Sequence, residues 1–250
     1  MAIQYIDAMP GSANWLTVQL DTGPQVSLPY GLMVEFNGRQ LGRDHFTVLE
    51  GVNKGQHASV AQRSAASSYL VKNVHHLPAG TIRFDSKTQH LFIGTRGPFN
   101  AFSGGGPGRE NGQAVNYTPV PPGTYLLVIP TYPSAQTRPQ YSQWAKFHKT
   151  WFRIGLSPTG SRFLHVGEIS DGCVTVRPFL YDGRPTSRLP DGFGDLSAAA
   201  QSQYKGLIGL PLAQPAAPTV SFDEVYRYLI LRRLNDQAVA KLIVTNNGKF

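Results

Sequence analysis

Short runs of alternating apolar and polar residues, separated by turn residues, recur along the chain. The stretch "LMVEFNGRQL" (32–41) places Asn37-Gly38 between two such runs, which predicts a β-hairpin with a type I′ turn at this dipeptide. The stretch "TIRFDSKTQHLFIG" (81–94) alternates around a polar turn and predicts a second hairpin. Further strands are predicted at "WFRIGL", "RFLHV", "CVTVRPFL" and "AKLIVT".

One segment near the end has helical periodicity. "SFDEVYRYLILRRL" (221–234) predicts a helix, because its apolar residues recur every three or four positions. The residues that fall near one face are Phe222, Val225, Tyr226, Leu229 and Leu234. The pattern as a whole predicts a mainly β fold (a β-rich α+β protein) with one C-terminal helix.

Three segments are less regular. Residues 52–70 are polar and rich in Ala and Ser, which predicts a linker or a short helix. Residues 101–130 read as a long Gly-rich loop that ends in a strand, and residues 182–220 are again rich in Gly, Pro and Ala. We therefore divide the chain into an N-terminal β-hairpin region of unknown role, 1–70, and a second domain, 71–250, with a C-terminal extension from about 182.

Composition and net charge exclude few classes of function. With 41% hydrophobic and 15% charged residues in 250, the chain is a globular protein and not a disordered one. Its formal net charge of +8 favours a polyanionic partner. Nucleic acid, anionic lipid and a bacterial cell wall rich in carboxylates all qualify, and the charge alone does not choose among them. Basic residues form no dense run of the nucleic-acid-binding kind, so we expect no nucleic acid.

The chain carries one cysteine, so it forms no internal disulfide. Its first residues lack a basic segment followed by an apolar run, and no stretch approaches about 18 consecutive apolar residues. We expect no signal peptide and no transmembrane segment. A protein of this kind that acts outside the cytoplasm needs another route of export.

The single cysteine lies in "FLHVGEISDGCVTV" (163–176), where His165 precedes Cys173. An antiparallel hairpin symmetric about Ile169 would place these two side chains opposite each other on one face. The other face would then be apolar. It would carry Leu164, Val166, Val174 and Val176.

This arrangement suits nucleophilic catalysis. A neighbouring imidazole takes the thiol proton, the thiolate attacks an acyl carbon, and the imidazolium protonates the leaving amine. The backbone N–H groups of Gly172 and Cys173 would stabilise the oxyanion, and Ser170 would orient His165. The alternative is a small buried thiol beside a structural histidine.

The order of residues along the chain restricts the families. No histidine follows Cys173, which disfavours hydrolases whose cysteine comes first. Sortases and L,D-transpeptidases place histidine first. The segments His165-Val-Gly167 and Ser170-Asp-Gly-Cys-Val174, with "TPVPPGTYLLVI" (118–129) upstream, resemble the L,D-transpeptidase (YkuD-type) family. Together with "SGGGPG" (103–108), they look most like the L,D-transpeptidase-like effectors of bacterial type VI secretion.

The resemblance implies an L,D-transpeptidase-like β-sandwich core with Cys173 as nucleophile and His165 as general base, His148 being the rival base. It implies transfer or hydrolysis at an L,D bond of a peptidoglycan stem peptide, without a cofactor or metal; His75-His76 lacks a partner cluster. The positions implied for substrate binding are Gly167, Asp171 (a histidine in the family), Thr175, Arg177 and Tyr125. Tyr125 and Trp151 are plausible cleft walls, although core packing is the preferred interpretation for both.

The resemblance further implies an antibacterial toxin made in the cytoplasm and acting in the periplasm of a target bacterium. A secretion-system carrier and a cognate immunity protein would be its partners. A third interpretation, nucleic-acid binding driven by the net charge, also competes with the enzyme. Two alternatives lie closer to the resemblance. One is a non-catalytic wall-binding or toxin module with a structural cysteine, and the other is a sortase-like transpeptidase.

Overall fold

The computed structural model describes residues 2–8, 12–64, 67–110, 113–137, 141–155, 162–167, 170, 172–177 and 221–248. Within these ranges the protein is built mainly of strands, which confirms the predicted mainly β class. Of the predicted C-terminal extension, residues 182–220 lie outside the described residues, whereas residues 221–248 are described and contribute a helix and strands to the second part.

The first part of the chain forms a seven-stranded antiparallel sheet. Its strands are β1 (Ala2–Ile6), β2 (Trp15–Leu20), β3 (Gln25–Pro29), β4 (Met33–Gln40), β5 (Arg43–Val48), β6 (His57–Ala61) and β7 (Leu70–Val71). The order across the sheet is β3-β2-β6-β5-β4-β1-β7. Alternate residues such as Leu16, Val18 and Leu20 are buried, as expected for strands with one face on a core.

The second part carries the other strands and two helices. They are β8 (Leu77–Pro78), β9 (Gly80–Asp85), β10 (His90–Ile93), β11 (Arg96–Phe102), β12 (Gly106–Glu110), β13 (Gln113–Tyr117), β14 (Gly123–Val128), α1 (Tyr141–Trp144), β15 (Phe152–Arg153), β16 (Phe163–Val166), β17 (Val174–Val176), α2 (Ser221–Ile230), β18 (Arg232–Arg233) and β19 (Ala238–Thr245). Strands β12 and β13 pair with each other, and so do β8 and β18.

The eight-stranded sheet of this part has the order β14-β19-β9-β10-β11-β17-β16-β15. An isolated bridge between Leu127 and Ile154 joins its two outer strands, β14 and the end of β15, and the Gly155 amide donates to the Leu126 carbonyl at 2.8 Å. The sheet therefore closes on itself, which leaves no free edge at this point.

Helix α2 covers the second part with its apolar face. Phe222, Val225, Tyr226 and Leu229 are all buried, as the helical periodicity predicted. The Tyr226 ring stacks on Phe147 with centroids 4.0 Å apart, and its hydroxyl accepts a hydrogen bond from Asn14 at 2.9 Å. Tyr226 thus contacts both parts of the chain.

The predicted hairpin at 81–94 is confirmed, since β9 and β10 pair antiparallel. The hairpin predicted within 32–41 was wrong, because residues 33–40 form one continuous strand, β4, and its hairpin partner β5 begins only at Arg43. Leu41 and Gly42 both have positive φ (51° and 72°) and form the turn, whereas the pairing of β4 shifts between Phe36 and Gly38, a β-bulge. Glycine suits a bulge as well as a turn, because both call for unusual φ.

Three other local predictions were wrong in part. Residues 57–61, predicted within a linker or helix, form β6 in the middle of the first sheet. The Gly-rich segment after Phe102 forms the β12–β13 hairpin and is not one long loop. Helix α2 ends at Ile230, four residues before the predicted end, because Arg232 and Arg233 pair with β8.

Among the residues that the structure describes, no helix is both long and apolar enough to cross a membrane.

Candidate active site

Three short strands present one row of polar and aromatic side chains on a common face. In β15–β16 Arg153 pairs with Phe163, and in β16–β17 His165 pairs with Thr175. Residues two apart on a strand point to the same side. The set on this face is Trp151, Arg153, Phe163, His165, Cys173 and Thr175, which we call the reactive face.

The pairing of β16 with β17 is parallel, so the predicted antiparallel hairpin was wrong. In the observed register Leu164, His165 and Val166 lie beside Val174, Thr175 and Val176. Both strands are short, with four and three residues. His165 is therefore opposite Thr175, and Cys173 is its diagonal neighbour on the same face.

Cys173 is buried, with 6% of its surface exposed. The backbone N–H of Phe163 approaches its Sγ at 3.4 Å. The Ser170 hydroxyl donates to the Cys173 carbonyl at 2.6 Å. Ser170 therefore fixes the turn before Cys173, and the prediction that its hydroxyl orients His165 was wrong.

His165 is oriented by two other groups. Its Nδ1 lies 2.8 Å from the Val166 carbonyl oxygen, which can only accept, so Nδ1 carries the proton of the neutral ring. Nε2 is then the basic nitrogen and accepts from the Thr175 hydroxyl at 3.2 Å. Trp151 stacks on the imidazole with centroids 4.1 Å apart and planes 16° from parallel.

Burial sets the charge of this histidine. His165 is 4% exposed, and desolvation lowers its pKa to about 4, opposed by the hydrogen bond to the Val166 carbonyl. The imidazole is therefore neutral near pH 7. A thiolate–imidazolium pair is therefore disfavoured in the resting protein. A thiol would instead lose its proton to the imidazole as it attacks the substrate.

Two upstream segments enclose the turn before Cys173. The Gly172 amide donates to the Gly104 carbonyl at 2.9 Å, and a Cβ at Gly104 would lie 2.6 Å from the Ser170 carbonyl oxygen. A Cβ at Gly172, which has φ of 76°, would lie 3.1 Å from the Thr118 carbonyl oxygen. Side chains are excluded at both glycines, so the backbones of the three segments touch.

The Gly172 amide is thus occupied, and the prediction that it stabilises an oxyanion was wrong for this conformation. The role of the Cys173 amide stays a prediction. The segments "SGGGPG" and "TPVPPGTYLLVI", which carry part of the family resemblance, both meet the cysteine turn. They do so through Gly104 and Thr118.

Other residues expected at the site have different positions. Gly167 is close, because a Cβ there would lie 3.0 Å from the Tyr141 hydroxyl and 3.4 Å from His165 Cε1. The Arg177 guanidinium lies over the Phe102 ring at 4.5 Å. Tyr125 folds back onto its own turn, where its hydroxyl donates to the Pro121 carbonyl. Asp171 lies outside the described residues.

The rival base His148 is engaged elsewhere. Its Nδ1 bonds the Ala145 carbonyl at 2.9 Å, and desolvation lowers its pKa. His76 lies near the first sheet, with Nε2 2.9 Å from the Gly31 carbonyl. In the part of the chain that the structure describes, no group of three or more His, Cys, Asp or Glu side chains is arranged to hold a metal.

Sequence reasoning missed Arg153 and Phe163, and it favoured core packing for Trp151. The strand pattern of "WFRIGL" could have indicated Arg153, since Trp151 and Arg153 are two residues apart and share a face. Trp151, Arg153 and Phe163 also line a cleft of about 170 Å³ beside the reactive face. Comparison with known proteins adds no name, since no family model, curated protein or solved structure matches the chain.

Proposed function

We propose that this protein is a cysteine enzyme that hydrolyses or exchanges an L,D peptide bond in peptidoglycan stem peptides. Cys173 is the nucleophile and His165 the general base and acid. One observation carries the proposal: Nε2 is the basic nitrogen of a neutral His165, and the Cys173 thiol lies 3.4 Å from the amide of Phe163, two residues before His165 on the same strand.

The chemistry follows from that protonation state. Cys173 attacks the acyl carbon while Nε2 accepts the thiol proton, which forms a thioester. The same proton passes to the leaving amine as the C–N bond breaks. Water then releases the acid, or a second amine takes the acyl group. The pKa of about 4 makes imidazolium short-lived, so it is a ready proton donor.

The substrate class rests on resemblance and charge. The segments that look like L,D-transpeptidases meet at Cys173 through Gly104 and Thr118. The net charge of +8 suits a wall polymer rich in carboxylates. Both supports are independent of the His165–Cys173 geometry, and both favour the same substrate.

A non-catalytic interpretation has its own support. Cys173 is 6% exposed and its sulfur accepts from the Phe163 amide, as a structural thiol would. Alkylation of the folded protein near neutral pH separates the two interpretations. A catalytic thiol reacts with a small alkylating agent without unfolding, whereas a structural thiol reacts only at the rate of unfolding.

The decisive test is muropeptide analysis by mass spectrometry. Peptidoglycan is incubated with the intact protein, with Cys173→Ala and with Cys173→Ser. We expect loss or exchange of a terminal D-amino acid with the intact protein and neither change with the two variants. Identical muropeptide profiles for the three proteins would overturn the proposal.

A further inference from the structure

The cleft beside the reactive face is lined by apolar residues, among them Ile129, Pro130 and Trp151, together with polar groups and one arginine. Among the described residues that line it, Arg153 carries the only ionisable cation or anion. Hydroxyl and amide side chains accompany it. They are Thr131, Tyr132, Ser134 and Gln136. Such a lining suits a small anionic group, because arginine binds carboxylates through paired hydrogen bonds.

The strand register relates this arginine to the nucleophile. Arg153 pairs with Phe163, and Phe163 lies beside Cys173, so the three residues form one row across β15, β16 and β17. Two strand spacings amount to about 10 Å between the outer backbones. Arg153 and Cys173 flank Phe163 on either side in this row.

A peptide substrate matches that separation. When Cys173 holds an acyl carbon, the next residue of the substrate extends about 3.5 Å further along the chain. If that residue is the last, its carboxylate lies between the thiol and Arg153. The cleft volume of about 170 Å³ is below the range of roughly 300–1,000 Å³ for larger ligands, and it suits a single residue.

We propose that Arg153 and this cleft form the subsite for a free C-terminal carboxylate one residue beyond the bond that Cys173 attacks. The inference rests on the proposed function and sharpens it: the enzyme removes or exchanges the terminal residue and does not cut within a chain. As the thioester forms, the C–N bond breaks and the amino acid leaves with its carboxylate paired to Arg153.

Two substrates test this without any substitution. One is a synthetic stem tetrapeptide that ends in a D-alanine carboxylate, and the other is the same peptide with a C-terminal amide. We expect kcat/KM to be about tenfold to a hundredfold higher for the acid, the range of a charge-assisted hydrogen-bond pair. Equal kcat/KM for acid and amide overturns the inference but leaves the proposed function standing.

Substitution of Arg153 is the second test of the inference. Arg153→Gln should lower kcat/KM for the acid to the level of the amide, and Arg153→Lys should restore part of the difference. The matched control is Arg96→Gln, whose side chain is 63% exposed and pairs with Glu224 away from the cleft. An unchanged acid-to-amide ratio in Arg153→Gln contradicts the inference.

A binding measurement covers variants that fold poorly. Calorimetric titration of Cys173→Ala with the acid and amide peptides should show tighter binding of the acid, and the preference should disappear in Cys173→Ala/Arg153→Gln. If the intact protein acts on neither peptide and Cys173→Ala binds neither, both the inference and the proposed function fail.

Discussion

The neutral state of His165 follows from what surrounds the ring. Trp151 covers one side of the imidazole, and the Val166 carbonyl and the Thr175 hydroxyl occupy the two nitrogens. A proton added to Nε2 would remove its ability to accept from Thr175, and the charged ring would lie in a dry environment. The same surroundings that orient the proposed base therefore oppose its protonation.

This has a consequence for stability at mildly acidic pH. The unfolded chain protonates His165 below about pH 6.5, whereas the folded protein does so only below about pH 4. Stability present above pH 6.5 is therefore lost as pH falls through that window. We expect His165 to account for a loss of about 2 kcal/mol between pH 7 and pH 5, where carboxylates remain largely ionised.

The measurement is the free energy of unfolding by urea at pH 5, 6 and 7. His165→Gln should be less stable than the intact protein at pH 7, with a flatter dependence on pH. His148→Gln is the matched control, because its pKa is also lowered but the ring is half-buried and outside the reactive face. An equal pH slope for the intact protein and His165→Gln would show that the ring is protonated in the folded state.

At the scale of elements, helix α2 supports the segment that leads into the reactive face. The Asp223 carboxylate accepts from the backbone N–H groups of Lys146 and Phe147, each at 3.2 Å. Asp223 lies in the first turn of the helix, where a negative charge is favourable. The chain continues from Phe147 to Trp151, so this contact holds the residue that covers His165.

We therefore expect Asp223→Ala to lower the free energy of unfolding by about 1–3 kcal/mol, since one buried and one partly buried amide lose their acceptor. The control on the same helix is Glu224→Ala, which breaks a long 3.7 Å pair with the exposed Arg96 and should cost less than about 1 kcal/mol. Urea unfolding followed by tryptophan fluorescence reports both. Equal losses for the two variants would contradict the support role of Asp223.

Local patterns predicted strands, the 81–94 hairpin and the buried face of α2, because alternation and helical periodicity are properties of adjacent residues. They did not predict which strand lies beside which. His165 and Cys173 were expected on one face, and only an extension of the register by one residue before β17 puts Cys173 there. Yet the pairing is parallel, with Thr175 opposite His165. The alternation of apolar and polar residues determines on which face of the sheet a side chain lies. Which strand lies beside it, and in which direction that strand runs, depends on the connection between the strands.

The same limit explains the other missed residues. Gly104 and Thr118 meet the cysteine turn from segments far away in sequence, through backbone contacts that no local pattern encodes. The dipeptide Asn37-Gly38 does mark an unusual backbone conformation, because Gly38 has a φ of 143°. It marks a bulge, and the turn itself lies at Leu41 and Gly42.

At the scale of the whole molecule, a buried ion pair joins the first sheet to the segment after α2. Glu50 follows β5 and is 2% exposed, and its two carboxylate oxygens each accept from Arg233 at 2.8 Å. Glu50 also accepts from the Met33 amide at 2.7 Å, and Arg233 donates to the Gly31 carbonyl at 3.1 Å. The pair thus links residues far apart in the chain.

His76 adds a proton-sensitive group to this junction. Its Nε2 lies 3.7 Å from Glu50 Oε1, and its ring meets Tyr5 edge to face. Burial, followed by the nearby Arg233, lowers the pKa of His76 and so disfavours its charged form at this junction. Arg233 is therefore the cation that balances the Glu50 carboxylate.

Removing one member of such a pair leaves the other charge buried, so we expect Glu50→Gln to lower the free energy of unfolding by about 3–5 kcal/mol. Lys54→Ala is the control, because Lys54 and Asp236 link the same two parts through side chains 56% and 42% exposed, and the loss of this solvent-screened pair should be much less destabilising. Urea unfolding at pH 7 measures both. The double variant Glu50→Leu/Arg233→Met should be less destabilised than Glu50→Gln, since no charge is then left without a partner. If Glu50→Gln is as stable as Lys54→Ala, the buried ion pair does not stabilise the contact between the first sheet and the segment after α2.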